Sequence, residues 1–335
     1  MPSSGSHLLQ RFSHAAERWQ IPLYLLGILA GVGAGAAFGH AGVLEAGLTP
    51  SLGLLLYATF LGIPMTRLGR GFGDRRFLGA LLVLNFVVVP VLVFGLSRFV
   101  AHDAGLLIGV LLVLLTPCID YVIVFSGLAG ADHGKLLAAA PLLLVAQLLL
   151  LPGYLYLMAG PDTLGIIDPT PFFSALIWLV LVPLALAAAT QFLARGSARA
   201  AAVMQVGTGS MVPLMVLVLF IVTASQTPRV LASGTALFPV VPLYAGFLAL
   251  MLLAGIGVAR LFGMDIPTAR ALVFSGATRN SLVVLPLALA LPTTLGIAPA
   301  VVVTQTLVEL LGMVLFVRLV PRLLPQRGRP ITDFG

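Results

Sequence analysis

Ten stretches of this chain, near 21–39, 48–66, 77–100, 104–128, 136–159, 171–194, 208–227, 238–262, 267–291 and 297–320, are long, apolar and almost free of charge. A helix crossing a hydrocarbon core of about 30 Å needs roughly 20 such residues. The pattern therefore predicts an all-α integral membrane protein with ten transmembrane helices. The ten stretches and their short connections take up nearly everything after Ile21, so one membrane domain is expected and no separate soluble one.

Composition closes off most other classes. Of 335 residues, 60% are hydrophobic and 9% charged, which no ordinary soluble domain shows. One cysteine excludes a disulfide framework or a Cys-rich zinc site, and the five histidines form no H-x-x-x-H pair. No structural metal or resident cofactor is expected, nor an enzyme. The single lysine belongs to no phosphate-binding G-x-x-x-x-G-K motif, so uphill movement of a solute would have to draw on an ion gradient.

The net charge of +7 does not indicate a nucleic-acid partner, because the basic residues are mostly arginines flanking apolar segments. With the N-terminus inside, fifteen of the 18 basic residues fall in cytoplasmic segments, among them Arg67, Arg70, Arg75, Arg76, Lys135 and Arg270. Only Arg98 and Arg229 fall outside, and Arg279 lies within a span. This asymmetry predicts cytoplasmic N- and C-termini. Residues 1–20 lack the apolar core of a cleaved signal and are expected to form a cytoplasmic segment. The excess of Arg over Lys points to a GC-rich bacterial genome, and so to a bacterial inner membrane.

Ten helices divide at the polar connection 160–170 into halves at 21–159 and 171–320, followed by a tail at 321–335. Five is odd, so the halves must be oppositely oriented, as in inverted-repeat carriers. Corresponding helices are also interrupted: the fourth by Thr116-Pro117-Cys118-Ile119-Asp120, the ninth by Gly276-Ala277-Thr278-Arg279-Asn280-Ser281. Irregular backbone at mid-membrane is tolerated only where it is buried or lines a cavity. These two breaks are the strongest functional pointer in the chain.

Asp120 and Glu309 are the two acidic residues placed inside spans. An ionisable group there costs about 2.5–3.5 kcal/mol on insertion scales and is retained with a partner or a role. Either is a structural partner of Arg279, or Glu309 exchanges a proton with Arg279 as counter-charge. Thr116-Pro117 reads as an N-cap followed by Pro at the first helical position, which would start a half-helix there and put Cys118 in its first turn. The helix dipole would then favour thiolate, a ligand for soft solutes. A lone buried cysteine is otherwise a small packing residue, and the pattern leaves both readings open. Gly27, Gly31, Gly35 and Gly39 recur every four residues and predict close helix approach. Pro64, Pro90, Pro152, Pro183, Pro213 and Pro286 predict kinks. Asn85, Gln147, Gln305 and Ser275 are candidate cavity linings, although interhelical hydrogen bonds explain such residues equally well.

The run Cys118-Ile119-Asp120-Tyr121-Val122-Ile123-Val124-Phe125, the stretch Phe274–Asn280, Leu307-Val308-Glu309, and Asn85 within Gly79–Pro90 resemble the arsenical-resistance (arsenite efflux) permeases. These form a branch of the bile acid/arsenite/riboflavin transporter superfamily. The resemblance covers most of the ten helices. It implies a core holding two crossed, broken helices, a panel of helices moving against that core, and a cysteine at Cys118 associated with arsenite. Two departures stand out. Pro117 occupies a position usually held by Arg, and Arg279-Asn280-Ser281-Leu282 replaces Asn-Asn-Phe-Glu, so an arginine has moved from one break to the other.

The expected function is therefore proton-driven export of arsenite, with antimonite as a further possible cargo. Thr116, Cys118, Thr278, Asn280 and Ser281 would bind the solute; Glu309, Asp120 and Arg279 would handle charge. The competing expectation is sodium-coupled uptake of an organic anion. Relatives of that type carry a sodium-binding glutamate where this chain has Ser275, which makes sodium the weaker candidate as coupling ion.

Overall fold

The computed structural model describes residues 19–38, 42–62, 74–118, 121–160 and 176–326, together with Thr170 and Ser174. Among the sequence expectations, Arg11, Arg18, Gly39, Pro64, Arg67, Arg70, Ile119, Asp120, Arg327 and Arg329 lie outside the described residues, as does nearly all of the 160–170 connection.

The described chain is helical, with one isolated antiparallel bridge as its only extended pairing. Helices α1 (Gln20–Phe38), α2 (Gly42–Gly62), α3 (Arg75–Val100), α4 (Ala104–Leu114), α5 (Tyr121–Leu128) and α6 (His133–Ala159) come first. They are followed by α7 (Val182–Leu193), α8 (Ala198–Gly209), α9 (Met211–Ser233), α10 (Val240–Leu261), α11 (Ile266–Ala277), α12 (Ser281–Leu289) and α13 (Ala298–Leu323). Among the described residues, five helical stretches are long and apolar enough to cross a membrane: Arg75–Val100, Leu142–Ala159, Met211–Ala232, Gly234–Leu261 and Thr293–Leu323.

The elements differ from the sequence expectation at several points. Helix α2 is already formed at Gly42 and carries Pro50 inside it, where a span beginning near residue 48 was expected. The interruptions expected at 116–120 and 276–281 fall between α4 and α5 and between α11 and α12. Ahead of α9 stands a separate helix, α8, capped by Ser197, whose Oγ accepts from the Ala200 N–H, and closed by Ser210. Its alanine-rich sequence has no long apolar run, so hydropathy missed it, and it buries none of its residues.

Two groups of helices separate by their mutual contacts. α1, α2, α7 and α9 pack on one another, while α3, α4, α5, α6, α10, α11, α12 and α13 form a second assembly. The groups meet chiefly where α9 packs on α13. Within the second assembly α4 is apolar all round and buried from Gly105 to Leu114, and α11 is buried from Thr268 to Ala277. Helices buried on every side are interior helices, and these two form the centre.

The expected small-residue contact is present. A Cβ on Gly31 would stand 2.6 Å from the Phe220 carbonyl oxygen of α9, and one on Gly35 2.9 Å from the Thr227 Cβ, whereas Gly33 on another face would meet nothing within 4 Å. Lipid tails are as apolar as Leu, so association of α1 with α9 relies on this close approach.

π-helical turns precede Pro90 and Pro183, at Leu84–Val88 and Leu176–Leu181. Proline cannot donate to the carbonyl four residues back. In α3 that carbonyl, on Phe86, accepts instead from the Tyr154 hydroxyl at 2.6 Å.

One end of the second assembly is tied by polar contacts. Lys135 Nζ lies 2.7 Å from Asp74 Oδ2 and donates to Thr268 Oγ1 at 3.0 Å. Asp74 and Asp132 cap α3 and α6 by accepting from the Phe77 and Lys135 N–H groups. The Lys135 hydrogen bond, then the Phe77 N–H, hold the Asp74 carboxyl below its usual range. Arg270, assigned from sequence to the surface charges, is buried: it donates to the Ala129 carbonyl at 2.8 Å and to the Leu324 carbonyl at 2.9 and 3.2 Å, clasping the ends of α5 and α13. A cation at two helix C-termini complements both dipoles.

Gly31→Leu should lower the melting temperature of detergent-purified protein, overpacking costing about 1–3 kcal/mol, while Gly33→Leu should leave it within a degree or so. Equal effects would show that close approach to α9 is not what Gly31 provides. Because the Asp74 pKa is depressed on folding, its contribution is present above about pH 4 and is lost as pH falls through the lowered value. Lys135→Met should therefore lower Tm at neutral pH by about 1–2 °C, as for a partly exposed pair. The difference should vanish on acidification below the normal carboxylate range, and a constant difference would refute the tie.

Candidate functional site

α4 and α11 enter the core from opposite ends and stop in its middle. Each is closed by a threonine whose hydroxyl turns back on its own helix: Thr116 Oγ1 donates to the Leu112 and Val113 carbonyls at 3.0 Å, and Thr278 Oγ1 to the Phe274 carbonyl at 2.8 Å. The chain then runs extended, and the two breaks pair with each other. The Cys118 N–H donates to the Thr278 carbonyl at 3.2 Å, and the Asn280 N–H to the Thr116 carbonyl at 2.8 Å. Pro117 and Arg279 stand opposite each other between these bonds. At such a position no N–H is required of the residue itself, so proline fits.

This corrects one sequence expectation. Thr116 does not cap a half-helix starting at Pro117, because its hydroxyl is used to end α4; the next helix is described from Tyr121 onward. Cys118, buried, lies in the bridge and not in a helical first turn. At the other break the next helix does carry an N-cap, one that the sequence pattern does not single out: Asn280 caps α12, its Oδ1 accepting from the Val283 N–H at 3.3 Å.

Arg279 has no exposed surface. Its Nη2 lies 2.8 Å from the Ser275 carbonyl, 2.5 Å from the Gly276 carbonyl and 3.0 Å from Asn85 Oδ1, and its Nη1 3.3 Å from the Leu114 carbonyl. These carbonyls belong to the C-terminal turns of α4 and α11, where backbone dipoles concentrate negative charge. The Phe247 ring lies 5.5 Å from the guanidinium carbon. Asn85, carried on the π-helical turn of α3, also donates to Ser275 Oγ and to the Leu81 carbonyl, both at 3.1 Å.

Glu309, on α13, accepts from the backbone N–H of Arg279 at 2.8 Å and from the side-chain amide of Gln305 one turn back. The bridge, the buried guanidinium and the buried carboxylate are thus one network. Asn280 Nδ2, Ser281 Oγ and Gln305 Oε1 are buried there without a hydrogen-bond partner among the described residues. An unsatisfied buried polar atom costs about 1–3 kcal/mol, so three in one network mark a place where something polar belongs.

The structure gathers Asn85, Thr116, Cys118, Ser275, Thr278, Arg279, Asn280, Ser281, Gln305 and Glu309 around the crossing, while Asp120 lies outside the described residues. Gln147, on α6, is buried with neither amide atom partnered among the described residues. Sequence reasoning missed Phe247, the Leu114 carbonyl and the joining of Gln305 to Glu309. Only the last had a signal, the spacing of four residues on one helix.

A crevice of about 410 Å³ lies between α1, α8 and α9 on one side and α5 and α6 on the other, with Tyr24, Ile123, Val124, His133, Thr208 and Met211 in its walls. It sits at the Arg270 end of the bundle, and its lining reaches Ile123 on the helix that follows Cys118.

Comparison with known proteins places this architecture. The chain is 29% identical over 164 residues to the arsenical-resistance protein Acr3 of Corynebacterium glutamicum, a match covering 47% of this chain and 44% of that protein. The chain thus matches less than half the length of that relative. A sequence model described as the Sodium Bile acid symporter family matches residues 49–233, more than half of the chain. With its long apolar helices, the chain is a multi-pass membrane protein, and it belongs to the Sodium Bile acid symporter family.

Proposed function

We propose that the protein exports trivalent arsenic as neutral arsenous acid, driven by inward proton movement through alternating access. The observation that carries this reading is the pair of buried groups without a hydrogen-bond partner among the described residues, Asn280 Nδ2 and Ser281 Oγ, at the break whose backbone pairs with that of Cys118. A soft ligand beside hydrogen-bonding groups suits a small thiophilic solute bearing hydroxyls. The similarity to an arsenical-resistance protein supports the same solute. One thiol holds arsenic weakly, which lets a carrier release it.

In this reading the chain has ten membrane spans in two inverted halves of five, with both termini cytoplasmic. α1, α2, α7 and α9 form the moving panel and the remaining spans the core. The crevice at the Arg270 end is then the cytoplasmic approach to the site. Glu309 exchanges the proton. As a carboxylate it accepts from both the Arg279 N–H and the Gln305 amide; protonation turns one of its oxygens into a donor and loosens its hold on the bridge. Proton occupancy is thereby linked to the shape of the solute site.

The second reading is sodium-coupled uptake of an organic anion, which the family match favours. The unpartnered Asn280 and Ser281 groups would then bind a carboxylate. The buried guanidinium among the carbonyls of the breaks opposes it, since that is where a coupling cation would be sought.

Radiolabelled arsenite accumulation in inverted membrane vesicles, with an imposed proton gradient and with or without sodium, separates the two readings. Cys118→Ser should lower the initial rate at least about tenfold, a loss of about 1.4 kcal/mol of stabilisation; wild-type rates in that variant would remove the thiol from the mechanism. Glu309→Gln should flatten the dependence of rate on pH, and a wild-type pH profile would exclude Glu309 as the proton carrier. No arsenite movement by active vesicles would transfer the case to the organic-anion reading.

A further inference from the structure

We infer that Arg279 is a tethered cation: its guanidinium fills a cage for a monovalent cation built by the C-terminal ends of the two broken helices, and cutting the side chain back creates a sodium site. The inference rests on the carrier reading above but not on the identity of the solute.

The geometry around Nη2 is the first argument. The Ser275 and Gly276 carbonyls and Asn85 Oδ1 all lie within 3.0 Å of this one nitrogen, which carries two hydrogens. Three acceptors around two hydrogens crowd a hydrogen-bonding group, but they are the start of a coordination shell for a spherical ion, in which carbonyl oxygens replace hydration water. The Leu114 carbonyl, 3.3 Å from Nη1, supplies a fourth oxygen from the opposite half-helix. Arginine usually meets planar, bidentate partners; here three oxygens surround one nitrogen and the fourth faces its neighbour.

The second argument is electrostatic. α4 and α11 direct their C-terminal dipole ends at the same place, and ends of broken helices are where membrane carriers coordinate sodium or protons. The Phe247 ring face adds to a field that favours positive charge. Removing the guanidinium would leave these oxygens buried in an apolar core without a partner, and a small cation satisfies them at once.

The chemical consequence is that the charge in this cage is constant. Guanidinium does not deprotonate in proteins and cannot leave on its tether. The cage therefore cannot report a sodium gradient, and an ion that drives the cycle must act on another group of the network, of which Glu309 is the described carboxylate.

The test uses the purified full chain in detergent, with saturable binding of radioactive sodium and thermal melting in sodium chloride against choline chloride as readouts. Neither involves arsenite, so loss of the arsenite reading would not affect the result. Wild type should bind no sodium saturably and melt alike in both salts. Arg279→Ala should bind sodium saturably and melt higher in sodium by roughly 2–4 °C, while Arg279→Lys, which restores the tethered charge, should behave as wild type. Saturable binding by wild type, sodium binding by the Lys variant, or a folded Ala variant indifferent to sodium would each overturn the inference. If Arg279→Ala is recovered folded only when extracted in sodium, the inference stands. Failure to recover it in either salt overturns it, because the dissolved cation then does not replace the tethered one.

Discussion

Two backbone hydrogen bonds, from Cys118 to Thr278 and from Asn280 to Thr116, make the rest of the molecule possible. Breaking a helix in the middle of a bilayer strands peptide groups that lipid cannot satisfy, and one broken helix alone would pay the full penalty. Two breaks facing each other in antiparallel register cancel much of it. The threonine hydroxyls at Thr116 and Thr278 and the Glu309 carboxylate take up further groups. Nearly all these contacts lie within the assembly that contains α4, α5, α11, α12 and α13. A shift of α1, α2, α7 and α9 against that assembly would leave the bridge intact and rearrange mainly apolar surfaces.

The fold was legible in the sequence where its physics is local. Long apolar runs predicted helices because hydrocarbon thickness sets their length, and the four-residue glycine spacing predicted the face on which α1 meets α9. The polar clusters around Cys118 and Arg279 predicted the breaks because polar residues have little other reason to sit there. The early start of α2 and helix α8 were not legible: an interior proline such as Pro50 imitates a helix start, and a short alanine-rich helix has no hydropathy signal.

The site was legible in membership more than in connection. Asn85, Ser275, Arg279 and Glu309 stand out as polar residues in apolar surroundings, so the sequence singles out each of them, and the structure brings them together. That Glu309 meets the backbone N–H of Arg279, and that the guanidinium turns to main-chain carbonyls, depends on how four helices cross, which no residue spacing encodes. Thr116-Pro117 misled for a physical reason. A threonine beside a break can end the preceding helix by bonding backward as well as start the next one by bonding forward, and the sequence is the same in both cases.

Helix α11 carries Arg270 near its start and leads into Arg279 at the break, and the described partners of both lie largely on other helices: Ala129, Leu114 and Asn85 from the first half of the chain, Leu324 from its end. Each unpartnered arginine raises the cost of partitioning into lipid by about 2.5–3.5 kcal/mol. Such a segment is a poor candidate for insertion by itself. Its membrane integration is tied to the prior presence of α3, α4 and α5, which makes the order of synthesis part of what the sequence specifies: the early helices act as an internal solvent for the late one.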